Sequence, residues 1–124
     1  MTLLEDVGNA RIYNSSFIAQ NHSVFVEKCG IAYNKITNKF KNKNTTETYK
    51  EYNIFSIMAG CPYFFELYKQ LQKVIRVYSL DDSPLWMQAW LNYHNENEVL
   101  DWHNHWWPYH GYVSIDPHET ITEF

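Results

Sequence analysis

The residues best suited to chemistry are His103 and His105, which stand two positions apart in a stretch rich in tryptophan. In an extended strand, side chains two positions apart point to the same face, so both imidazoles could aim at one point. Imidazole suits iron, zinc, copper and nickel, and a metal site normally needs at least one further protein ligand. The pattern predicts a metal site on a strand. The alternative is that both histidines are polar residues on a solvent face.

Neighbouring residues could complete and enclose this site. His110 and Asp101 are the candidates for a further ligand, because both lie close in sequence and Asp101 shares a strand face with His103. Trp102 is expected on the opposite face, pointing into a core and leaving the histidines in a cleft. Three further aromatic residues are the candidate walls of that cleft: Trp90, Trp106 and Trp107. Such walls also suit a sugar or a base, by stacking.

Composition predicts a folded, acidic protein with one domain. The chain has 124 residues, of which 45% are hydrophobic and 18% aromatic, and a net charge of -4. We treat 1–124 as one domain, with the segment 1–84 preceding the core segment 85–124. The acidic charge argues against nucleic acid or an anionic membrane as the main partner. No apolar run reaches the roughly 20 residues that span a bilayer.

The amino terminus and the cysteines indicate a reducing compartment. Residues 1–13 have neither the basic leader nor the apolar core of a secretory signal. Cys29 and Cys61 lie far apart in different contexts, which favours two free thiols over a disulfide. The expected location is the cytoplasm.

Hydrophobic periodicity predicts one helix in the first two thirds of the chain. Residues 63–78 have apolar side chains at three- and four-residue spacing, and Pro62 suits the first turn of this helix. β-Forming residues predict one or two short strands within 11–18 and 24–26. The lysine- and asparagine-rich run 38–50 is typical of a solvated loop.

Alternating side chains predict that the remainder is β structure. Strands are expected over 85–93, 99–103 and 112–115, and a polar hairpin over 94–98 joins the first two. A last β-type segment is expected over 120–124. The candidate ligands then lie at the end of the returning strand.

The ordered motifs of this region resemble the first half of an iron(II)/2-oxoglutarate-dependent oxygenase core. The closest likeness is to oxygenases common in tailed bacteriophages and marine bacteria. The residues that carry it are Trp90-Leu91-Asn92-Tyr93, His103-Asn104-His105 and Gly111-Tyr112-Val113-Ser114-Ile115. An H-x-H pair alone is a weak motif, whereas the ordered set is much more specific.

The resemblance implies an α+β fold that is mainly β, namely a partial double-stranded β-helix (jelly-roll or cupin-like) with one amphipathic helix packed outside. It implies iron(II) and 2-oxoglutarate as cofactors, His103 and His105 as iron ligands, and Asn92 and Tyr112 as cofactor contacts. The family uses two histidines and one carboxylate, followed by an arginine that binds 2-oxoglutarate. In the family, the second histidine ligand and this arginine lie far downstream of the first motif. A matching histidine and arginine are not found in this chain.

We therefore expect the amino-terminal part of an oxygenase, or a shortened relative, in the cytoplasm of a bacterium or of a phage-infected host. Two other classes stay open: a non-enzymatic β-sandwich interaction or virion module, and a small metal- or sugar-binding jelly roll. The substrate, a small molecule or a protein, is not indicated. The exposed strand edges of a half-built barrel also predict a homodimer.

Overall fold

The computed structural model describes residues 1–95 and 97–122, with the backbone but not the side chain of Val7. Over these residues the chain forms two strands and four helices, in the order β1 Thr2–Val7, β2 Ala10–Asn14, α1 Ser16–Gln20, α2 His22–Phe40, α3 Ile54–Ile57 and α4 Pro62–Ser79. The described residues after Ser79 contain neither a helix nor a strand. Among the described residues, no helix combines the length and apolar character that a membrane crossing requires.

The two strands form an antiparallel hairpin that contacts the end of α4. Gly8 lies in the turn with a φ of 58°, a conformation that glycine adopts without steric cost. The Arg11 guanidinium lies 5.2 Å from the ring centre of Tyr78, and the Tyr78 hydroxyl donates a hydrogen bond to the carbonyl oxygen of Asn9. Tyr78 therefore joins the hairpin to the helical part.

Helix α2 forms because its apolar residues recur at helical spacing. Phe25, Cys29, Ala32 and Ile36 are buried and stand four, three and four positions apart, so they share one face. The strand predicted over 24–26 is wrong, since these residues lie in the first two turns of α2. Three consecutive β-forming residues favoured a strand locally, but burial of the whole stripe outweighs that weak preference.

Helix α4 is the element that periodicity predicted, and the structure confirms it. Pro62 occupies the first turn, where its missing N–H costs no hydrogen bond, and Phe64 and Leu67 are buried. The helix ends at Leu80, whose left-handed conformation lets its N–H donate to the carbonyl oxygen of Arg76.

Aromatic side chains join α1, α2 and α4 into one core. Phe25 is fully buried, with ring centroids 5.7 Å from Phe17, 6.1 Å from Tyr63 and 5.9 Å from Phe64. A neighbouring cluster contains buried residues of α2, α3 and α4 together with Tyr52 of the preceding loop and Met58 just after α3: Cys29, Ala32, Ile36, Tyr52, Ile54, Met58 and Phe64. Both cysteines are free thiols. Burial, and secondarily the Asp116 carboxylate, raises the pKa of Cys29 to about 11.

The predicted mainly β fold is wrong. Over the described residues the only sheet is the amino-terminal hairpin, so the segment 85–122 forms no part of a double-stranded β-helix. The strands predicted over 85–93, 99–103 and 112–115 are absent, and of 120–124 the described residues 120–122 are not a strand. The β-sandwich and jelly-roll alternatives, and the barrel edges that suggested a dimer, lose their structural basis with it.

The loop predicted over 38–50 is also wrong in part. Helix α2 continues to Phe40, and Thr45 and Thr48 are buried rather than solvated. The segment 85–93 packs against the helical core instead of pairing as a strand, and three consecutive residues, Ala89, Trp90 and Leu91, contact the core cluster. Tertiary contacts thus replace the sheet that local pattern suggested.

We expect Phe25→Ala to lower the free energy of unfolding by about 3–5 kcal/mol, because removal of a buried ring leaves a cavity. Urea denaturation followed by circular dichroism measures this loss. Phe65→Ala is the matched control on α4, where the ring is 62% exposed, and should change the same free energy by less than about 0.5 kcal/mol. Equal losses in both variants would contradict this placement of the core.

Candidate functional site

The segment that leads to the histidines is held in place through its backbone. The Asn53 amide nitrogen donates to the carbonyl oxygen of Met87 at 2.8 Å, and the N–H of Ile54 donates to the carbonyl oxygen of Ala89 at 2.8 Å. Thr45 Oγ1 donates to the carbonyl oxygen of Leu91 at 2.6 Å. These bonds satisfy backbone groups of residues 87–91, as the hydrogen bonds of a neighbouring strand would in a sheet.

Tyr52 is the centre of this attachment. Its buried hydroxyl accepts a hydrogen bond from the N–H of Leu91 at 2.9 Å and donates to the carbonyl oxygen of Thr45 at 2.8 Å. Burial raises the pKa of Tyr52 despite both hydrogen bonds, so the phenol stays protonated and keeps its donor. One hydroxyl therefore connects the loop 41–53 with the segment 87–91.

A second anchor lies after the histidines. The Ile115 side chain packs against both core clusters, and His22 Nε2 donates to its carbonyl oxygen at 2.8 Å. Asp116 pairs with His22 at 3.6 Å and with His118 at 2.9 Å. This role of His22 could not be predicted from local sequence, because Ile115 and Asp116 are more than ninety positions away.

Between the two anchors, the three candidate histidines come together. The ring centroids of His103 and His105 are 4.9 Å apart, and those of His105 and His110 are 5.3 Å apart. His103 Nδ1 lies 2.8 Å from the carbonyl oxygen of Asp101. A carbonyl oxygen only accepts, so Nδ1 carries the proton and Nε2 keeps the lone pair that a metal ligand needs.

Two of the three predicted wall residues lie beside His105. The ring centroids of Trp90 and Trp107 are 5.5 and 5.7 Å from that of His105, and 5.8 Å from each other. Trp106 is 99% exposed and does not line the site. Trp102 is 75% exposed, so the expectation that it enters a core is wrong. The aromatic wall is therefore one-sided.

The other predicted contacts take different roles. Asp101 approaches the histidines with its backbone oxygen, as described above. Asn92 Oδ1 accepts from Thr46 Oγ1 at 2.8 Å and from Trp90 Nε1 at 3.2 Å, so this oxygen is already engaged. Tyr112 is half exposed. Asn92 thus contacts Trp90, one of the predicted wall residues, through this oxygen.

The electrostatics of the cluster favour neutral imidazole at its centre. The pKa of His105 is lowered, first because burial disfavours the charged ring and then because His103 and His110 would be like-charged neighbours. Neutral imidazole is the form that binds a metal. Within the described residues, no three His, Cys, Asp or Glu side chains are already arranged to hold an ion.

We expect Tyr52→Phe to lower the free energy of unfolding by about 1–3 kcal/mol, because the N–H of Leu91 and the carbonyl oxygen of Thr45 both lose a buried partner. Urea denaturation measures the change. Tyr109→Phe removes the hydroxyl of a ring that is 39% exposed and should leave the midpoint within error of the wild type. A silent Tyr52→Phe would refute the attachment.

We expect the NMR titration midpoint of His105 to lie below the ordinary imidazole value of about 6.5. Because this pKa is depressed in the folded state, the unfolded chain binds more protons as pH falls through that value. The contribution of His105 to the free energy of unfolding therefore decreases on acidification. Trp90→Ala should move the midpoint back toward 6.5, and a wild-type midpoint at or above 6.5 would contradict the sheltered position.

Comparison with known proteins finds no matching family model, no matching curated protein and no matching solved structure. The function is therefore argued from the side chains described above. The candidate functional site is the cluster of His103, His105 and His110 between two anchored segments.

Proposed function

We propose that this protein binds a divalent transition-metal ion, iron(II) foremost, through His103, His105 and His110. The observation that carries the proposal is the spacing of the three rings, 4.9 and 5.3 Å between neighbouring centroids. Metal–nitrogen bonds of about 2.0–2.1 Å put the centroids of two imidazoles on one ion roughly 5 Å apart. Two of the three ring pairs, His103–His105 and His105–His110, are therefore close to this separation, which supports the proposal.

The remaining adjustment is a rotation of side chains. The three histidines lie in a segment without helix or strand, and His103 and His110 are exposed. Turning such rings breaks few contacts, and a metal ion supplies far more free energy than the rotation costs. The backbone oxygen of Asp101 holds His103 in the tautomer that leaves Nε2 free, which is a common support for a histidine ligand.

A more specific proposal follows from the resemblance, namely that the metal serves an iron(II)/2-oxoglutarate-dependent oxygenase reaction. His103, His105 and His110 would hold the ion, and Trp90 and Trp107 lie beside His105. Iron(II) and 2-oxoglutarate would together supply the oxidising chemistry when bound. The protein's part would be to hold the ligands and exclude water.

The described residues do not fit 2-oxoglutarate itself, and we derive no step through it. The chain has two arginines, and both are engaged elsewhere. Arg11 pairs with Asp6 at 3.6 Å, while Arg76 donates to the carbonyl oxygens of Asp81 and Ser83. An oxygenase reaction therefore requires a carboxylate-binding group beyond those described at the histidine cluster.

We expect one Ni²⁺ ion to bind per chain, because nickel binds imidazole sites more tightly than iron(II) does and does not oxidise in air. Isothermal titration calorimetry measures the affinity, and His105→Ala should weaken it at least about tenfold, the loss of one ligand. The matched control is His94→Ala, since His94 lies in the same segment but pairs with Glu98. Equal affinities for the wild type and His105→Ala would exclude this site.

The oxygenase proposal has its own test. The protein loaded anaerobically with iron(II) is mixed with 2-oxoglutarate and oxygen, and succinate release without a substrate is measured. Turnover that disappears in His103→Ala supports the oxygenase. No succinate above the protein-free control, with Ni²⁺ binding intact, would leave a metal-binding protein without this chemistry.

A further inference from the structure

The loop 41–53 between α2 and α3 is ordered by its own side chains. Asn42 Oδ1 accepts from the N–H of Asn44 at 2.9 Å, and Asn44 Oδ1 accepts from the N–H groups of Thr46 and Glu47, both at 3.1 Å. Side chains of this type hold turns by bonding the backbone two or three residues on. The loop therefore presents Thr46 from a fixed backbone.

Thr46 and Trp90 meet at one oxygen atom. Thr46 Oγ1 donates to Asn92 Oδ1 at 2.8 Å, and Trp90 Nε1 donates to the same oxygen at 3.2 Å. An amide oxygen has two lone pairs, so these two donors fill it. Because the indole N–H can only donate, the amide must keep its oxygen toward Trp90, and the orientation of Asn92 is determined.

The same loop also contacts the ring of Trp90. The centroid of Tyr49 lies 5.0 Å from that of Trp90, on an indole that lies 5.5 Å from His105. The loop thus contacts the indole twice, at its N–H through Asn92 and at its ring through Tyr49. Rotation of Trp90 would break both contacts.

We propose that Thr46 is a positioning residue for the histidine site, holding the Trp90 indole beside His105 through the shared oxygen of Asn92. This inference deepens the proposed metal site and rests on it for its functional meaning. The hydroxyl of Thr46 contacts neither the histidines nor a metal, so its effect is transmitted by Asn92 and Trp90. Loss of the hydroxyl leaves one lone pair of the Asn92 oxygen without a donor, so only the Trp90 N–H still holds the amide.

Attachment of the segment itself does not depend on Thr46. The backbone of residues 87–91 is held by Thr45, Tyr52, Asn53 and Ile54. Removing the Thr46 hydroxyl should therefore leave the fold in place and change only the orientation of the indole. The positioning role of Thr46 can therefore be tested separately from the stability of the fold.

The experiment compares Thr46→Val, which lacks the hydroxyl, with Thr46→Ser, which keeps it. The first readout is the Nε1–H resonance of Trp90 in a ¹⁵N-correlated NMR spectrum, assigned by its disappearance in Trp90→Phe. We expect Thr46→Val to shift this resonance and speed its exchange with water, and Thr46→Ser to restore the wild-type position. This readout needs no metal.

The second readout is Ni²⁺ affinity by calorimetry. We expect Thr46→Val to weaken binding about 3- to 10-fold, less than the 10–100-fold typical of groups bonded directly to ligands, and Thr46→Ser to recover it. Thr37→Val is the matched control, because the Thr37 hydroxyl bonds only to backbone oxygens within α2. It should change neither readout.

The outcomes distinguish the positioning role of Thr46 from the proposed metal site. A Trp90 resonance that does not move in Thr46→Val overturns the positioning role, and so does a shifted resonance with unchanged Ni²⁺ affinity. A resonance that moves and is restored by serine, in a protein that binds no Ni²⁺, supports the positioning of the indole while the proposed metal site fails.

Discussion

Residues 87–91 pack against the helical part without a neighbouring strand, and the carboxy-terminal third depends on how the backbone polar groups of this segment are satisfied. Buried N–H and carbonyl groups need partners, and here they come from side chains of the loop 41–53 and from the start of α3. The Tyr52 hydroxyl is central, because it bonds both the loop and the segment. The helical core therefore holds the segment 87–91 in place, although this segment forms no strand.

The histidine cluster lies between this attachment and a second one at Ile115. Over the described residues between them, regular structure is absent and many side chains are exposed. The positions of the rings are thus set by the two anchors and the indoles rather than by a rigid strand. A metal ion bound there would link residues within this segment and stabilise the folded chain by an amount that rises with the logarithm of its affinity.

The loop 41–53 has two roles that its polar composition does not indicate. Thr45 and Tyr52 attach the backbone of residues 87–91, Tyr49 contacts the indole beside the site, and Thr46 bonds the Asn92 oxygen that the indole N–H also uses. Both roles use hydroxyl groups and rings that would be unremarkable on a surface. Here Thr45 and Tyr52 are buried, and all four residues interact with a distant part of the chain.

What the sequence alone determined is local: α4, from its apolar stripe and Pro62, and the choice of His103, His105 and His110 as the residues that could act together. The sequence alone did not reveal α2. The β-forming residues of this helix favour a strand locally, and the helix is stabilised by packing of its apolar stripe in the folded protein. The sequence also misassigned 85–115, since alternation in an extended segment is the same whether its backbone pairs with a strand or with distant side chains. Only the tertiary structure chose between these partners, because the Tyr52 hydroxyl and the threonines lie about forty positions earlier and meet the segment only after the helices pack.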